Sequence, residues 1–120
     1  MARPSGNLLD FVPHPRVEHF IQPESGRVTL RVPRFENRLL RRLFGWLNRS
    51  PTVDFRLDEI GSFVWLRMDG GRTVARICQE ARAQFGERVE PVHERVALFC
   101  RNLARDGFIL LDESHRAPGG

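Results

Sequence analysis

Residues that start and stop helices recur at short intervals through the second half of the chain: Asp58, Asp69-Gly70-Gly71, Thr73, Gly86, Pro91 and Gly107. An Asp or Thr side chain ahead of a helix accepts from backbone N–H groups that have no partner in the first turn. Glycine reaches positive φ at helix ends, and proline suits a first turn. This spacing predicts three short helices: one from Asp58 to the Asp69-Gly70-Gly71 stop, one from Thr73 to Gly86, and one from Pro91 to Asp106. Apolar residues repeat at helical intervals in each. Ile60, Phe63, Val64 and Trp65 face inward in the first, Val74, Ile77, Cys78, Ala81 and Phe85 in the second, and Val92, Val96, Phe99, Cys100 and Leu103 in the third. Leu98 falls almost opposite that last group, among Glu94, Arg95, Arg101, Asn102 and Arg105. The segment "FILLDE" then supplies a short closing strand.

Upstream the period changes from helical to alternating. "VEHFIQ" and "RVTLRV" flank "PESG", whose composition suits a tight reversal, and Val28, Leu30 and Val32 alternate with Arg27, Thr29 and Arg31. A hairpin is expected there. Val53, Phe55 and Leu57 alternate with Asp54 and Arg56, giving a third strand with one buried face. Between the second and third strands, Phe35, Leu39, Leu40, Leu43, Phe44 and Leu47 line one half of a helical wheel and Arg34, Arg38, Arg41, Arg42 and Arg49 the other. Five arginines and Glu36 make the segment 34–49 strongly basic, and charges balance over the rest of the chain. An inserted amphipathic helix over 35–48 follows, with Arg38, Arg41 and Arg42 as a candidate interface. Such a helix lies over the sheet with its arginines in solvent, rests on an anionic membrane, caps a partner protein, or contacts nucleic acid.

A chain of 120 residues with 41% hydrophobic and 28% charged residues has room for one core. A single domain over 17–112 is expected, with a flexible arm at 1–16 and a disordered tail at 113–120. The arm lacks the apolar core of a secretion signal, so a cytoplasmic location is the default. Cys78 and Cys100 read as buried free thiols, and His14, His19, His93 and His115 are scattered without metal-ligand spacing. Neither a metal nor a cofactor is expected. Ser62 sits within a helix with no base and orienting group in any recognisable motif, which argues against an enzyme.

The run Leu57, Asp58, Gly61, Val64, Trp65, then Asp69-Gly70, Thr73-Val74 and Ile77, continued by Phe85-Gly86, Phe99, Leu103 and "DGFILL", resembles the PqqD-like family over residues 53–111. The resemblance implies an α+β, winged helix-turn-helix-like domain: a three-stranded antiparallel sheet followed by a three-helix bundle. It also implies a non-catalytic recognition element for ribosomally made peptides, which captures the leader of a precursor peptide by strand addition and presents it to a modifying enzyme, commonly a radical S-adenosylmethionine enzyme. By position, the peptide-binding residues are Val53, Asp54, Phe55 and Arg56 of the third strand and Arg95, Leu98, Arg101 and Asn102 of the third helix. The inserted helix and the long arm depart from the compact members.

Two other classes compete with peptide binding. A winged helix that reads DNA shares this layout, but Arg95, Arg101 and Arg105 are offset by Glu94 and Asp106, and duplex affinity needs many phosphate contacts. An adaptor acting through the basic helix, or membrane attachment by the same face, is the other. Nucleic acid and membrane rank below a peptide and its modifying enzyme as partners, and a homodimer stays open.

Overall fold

The structure, a computed structural model, describes residues 8–33 and 52–113. The basic helix expected over 35–48, with Arg38, Arg41 and Arg42, and residues 114–120 of the tail lie outside the described residues. Among the described residues the fold is mixed α+β, with antiparallel sheets and three α-helices. It divides into two compact units, residues 17–57 and residues 1–16 with 58–120. Strands that pair locally belong to the first unit, and the helices share the second with the N-terminal segment.

Strands β2 (Glu18–Ile21), β3 (Val28–Pro33) and β4 (Thr52–Arg56) form the smaller unit as an antiparallel sheet in that order. The expected reversal is there: Gln22 N–H donates to Arg27 O (2.8 Å), Gly26 N–H donates to Gln22 O (2.8 Å), and Gly26 takes φ 74°. Alternation on β3 buries Val28, Leu30 and Val32 on one face. Thr29, on the other, is also buried, and its hydroxyl accepts from Gln22 Nε2 at 3.4 Å.

The larger unit holds β1 (Phe11–Pro15), α1 (Glu59–Arg67), α2 (Val74–Phe85), α3 (Val92–Arg105) and β5 (Ile109–Glu113). Both expected caps form. Gly61 N–H donates to Asp58 Oδ1 at 2.7 Å, and Arg76 N–H donates to Thr73 Oγ1 at 3.1 Å. Gly70, Gly86 and Gly107 take positive φ where the helices end. The inward residues meet as expected: Val64, Trp65, Val74, Ile77, Cys78, Ala81, Phe85, Val92, Val96, Cys100 and Leu103 are buried. Ile60, Phe63 and Phe99 are half-buried.

The arm departs from expectation. Residues 11–15 are not loose but form β1, paired antiparallel with β5 from Phe11 opposite Glu113 to Pro15 opposite Ile109. The pairing draws Glu113, expected in the tail, into β5 as well. A short 3-10 turn at Leu8–Asp10 precedes β1 and packs on α2 and α3. Apolar burial is the physical reason: Pro13 is fully buried, and an arm carrying Leu8, Leu9, Phe11 and Val12 removes more apolar surface from water by docking than by staying extended. Among the described residues no helix is long and apolar enough to cross a membrane.

Candidate functional site

The residues expected to bind a peptide fall on two surfaces, one in each unit. Among the described residues β4 forms an edge of its sheet. Leu57 N–H donates to Val28 O at 2.9 Å, and the register places Phe55 opposite Leu30 and Val53 opposite Val32. In an antiparallel ladder successive residues direct their N–H and C=O groups to alternate sides. Val53 and Phe55 therefore bond toward β3, and Asp54 and Arg56 turn their backbone groups toward the outer edge.

The side chains of β4 divide the other way. Phe55 shares the face of the buried Leu30 yet is 45% exposed, so its face is only partly covered where a buried side chain was expected. An edge strand leaves the outer flank of its side chains open. Val53 is half-buried. On the opposite face, Asp54 takes a two-pronged contact from Arg31, with Nε to Oδ1 at 3.2 Å and Nη2 to Oδ2 at 3.3 Å. Arg31 is further held over the Phe20 ring at 4.9 Å. Its pKa is raised by the hydrogen bond to Asp54 first, and then by the charges of Asp54 and Glu18 against a smaller opposing effect of burial. Arg56 is exposed, and among the described residues no carboxylate pairs with it.

On α3, Arg95, Leu98 and Asn102 recur at helical spacing, with Arg101 beside them. Leu98 is the most exposed large apolar side chain among the described residues, at 56%. Arg95 is only partly available, because its Nη1 donates to Arg88 O at 2.8 Å across the turn that precedes the helix. Arg101 is exposed and Asn102 half-buried. The sequence reading missed Arg31 as the group that occupies Asp54. Its outward position on an alternating strand was visible, but the cross-strand register that brings it opposite Asp54 was not.

Several titratable groups elsewhere are held in ion pairs. Arg67, Arg72 and Arg76 converge on Glu80 at 3.2, 3.1 and 3.0 Å, and Arg72 also reaches Asp69 at 2.6 Å. The Glu80 carboxyl lies below the usual range, because hydrogen bonds from Arg76, Arg72 and Arg67 together outweigh the upward push of burial. Cys78 and Cys100 are fully buried free thiols, pushed up by burial to about 11 and about 12. Among the described residues no three His, Cys, Asp or Glu side chains gather as a metal ion would need.

A family model described as coenzyme PQQ synthesis protein D (PqqD) matches residues 50–109, half of the chain. The chain belongs to the PqqD family. PqqD proteins are accessory binding proteins, not catalysts, and they bind precursor peptides and partner enzymes. Neither a curated protein nor a solved structure matches the chain. The matched span runs from β4 through the three helices to the start of β5, so it contains both surfaces described above and leaves β1, β2 and β3 outside.

Proposed function

We propose that this PqqD protein is a non-catalytic, winged-helix-like peptide-binding module that holds the leader of a ribosomally made precursor as an added strand along β4. It presents that leader to a modifying enzyme, of the radical S-adenosylmethionine class. The observation that carries the reading is the edge position of β4 within the family match, with the backbone groups of Asp54 and Arg56 directed outward. Those groups offer about four hydrogen bonds, each worth about 0.5–1.5 kcal/mol net. Ordering an extended peptide costs several kcal/mol, so backbone pairing alone holds it weakly. Side chains must supply the remainder. Val53 and Phe55 serve the peptide on one face of β4, with Asp54 and Arg56 on the other. Arg95, Leu98, Arg101 and Asn102 of α3 are a second candidate surface in the other unit, an apolar anchor ringed by cationic and amide groups.

The test is an amide-resolved NMR titration of the full chain with a synthetic leader peptide encoded beside its gene. Perturbations concentrated at residues 53–57 and 92–105 are expected. Perturbations confined to 34–49 would replace this reading with an adaptor that works through the basic segment and Arg38, Arg41 and Arg42.

A further inference from the structure

The β2-β3-β4 sheet is arranged in cross-strand rows, and the rows reach the outer edge with different chemistry. Glu18, Arg31 and Asp54 form one row, in register across all three strands. Within it Arg31 is bound by Asp54 through both carboxylate oxygens, so the row alternates negative, positive, negative and presents a carboxylate at the edge. Phe20, Thr29 and Arg56 form the next row on the same face. Thr29 is buried and uncharged, which leaves Arg56 at the edge without a compensating charge among the described residues. On the opposite face the rows end in Val53, beside Val32, and Phe55, beside Leu30.

Side chains directly opposite one another on neighbouring strands lie close enough to interact, and like charges there are unfavourable. We infer that a strand captured along β4 is selected by charge as well as by apolarity, with apolar residues beside Val53 and Phe55, an acidic residue beside Arg56, and a basic or uncharged one beside Asp54. The inference rests on the peptide-binding reading above and names the class of segment that it takes. Arg56 is the specificity-determining residue, because Asp54 is already satisfied by Arg31 and Arg56 has no carboxylate partner among the described residues.

The full chain is titrated by NMR with three acetylated, amidated heptapeptides that read the same in either direction: Val-Thr-Val-Asp-Val-Thr-Val and its counterparts with central Asn or Lys. The expected order of affinity is Asp, then Asn, then Lys, with about three- to tenfold between the extremes, as for an exposed cross-strand charge pair against a like-charge pair. Arg56→Glu should invert the order, and Arg56→Gln should collapse it. Arg56 is exposed, so neither variant disturbs a buried contact. If the peptides perturb residues 53–57 in an order indifferent to both variants, the charge rule is overturned and strand capture survives. If no peptide perturbs 53–57 and a leader peptide does not either, strand capture along β4 fails together with the rule.

Discussion

Single side chains decide most of what the helical unit does locally. Asp58 and Thr73 each satisfy an N–H that the first turn of a helix leaves without a partner. Thr73→Ala should therefore lower stability by about 1 kcal/mol, seen as a shift of the urea midpoint, with no change in the far-ultraviolet signature of the folded state. Burial sets the chemistry of the thiols. Cys78 and Cys100, pushed up to about 11 and about 12, are protonated at neutral pH and shielded from solvent. An alkylating maleimide at pH 7 should leave both intact in the folded chain and modify both in denaturant. Fast modification of either in the native state would contradict the packing of α2 on α3.

At the scale of elements, the connection between α1 and α2 is held by charge and by one backbone conformation. Glu80 gathers Arg67, Arg72 and Arg76, and Asp69, lowered first by its hydrogen bond from Gly71 N–H, adds a second carboxylate. Glu90 behaves likewise through Arg82. A carboxyl whose folded-state pKa is depressed contributes stability that is complete above its unfolded value. That contribution disappears as pH falls through the folded value. The ordinary values are 4.5 for Glu80 and Glu90 and 3.8 for Asp69, so stability should hold through neutral pH and decline only on acidification below that range. Glu80→Gln should make the urea midpoint less sensitive to acid, and a variant with the parent's full acid dependence would refute the assignment. Gly70 is the conformational constraint. It takes φ +83°, and a Cβ there would lie 2.9 Å from His14 Nδ1, while its N–H donates to Pro13 O at 3.1 Å. Gly70→Ala should cost about 1–3 kcal/mol in strain, and His14→Ala in the same chain should recover the crowding but not the backbone part.

The molecule as a whole extends the matched family span with the N-terminal strand. Arg16 N–H donates to Phe108 O at 2.9 Å, so His14 and Val12 bond toward β5, and Phe11, Pro13 and Pro15 turn outward. Proline has no N–H, and Pro13 O already accepts from Gly70, so the outer edge of β1 is a poor template for another strand. The contrast with β4 is chemical: the residues that turn outward there, Asp54 and Arg56, each keep an N–H to donate. Removing residues 1–16 should expose Ile109 and the apolar side of β5 and lower the unfolding midpoint, even though the matched span stays intact. A truncated chain as stable as the parent would show that β1 adds nothing to the core.

Local chemistry alone determined the three helices, their caps and the hairpin, because an N-cap side chain, a positive-φ glycine and an alternating strand act within a few residues of themselves. The position of Leu98 opposite the buried face of α3 followed from helical periodicity in the same way. Pairings between residues far apart in the chain were decided only by the tertiary structure. The docking of 11–15 on 109–113, the capture of Asp54 by Arg31, and the division of outward backbone groups between Asp54 and Arg56 all depend on register. Register is a property of two segments held together, and a one-residue slip in either reverses every face.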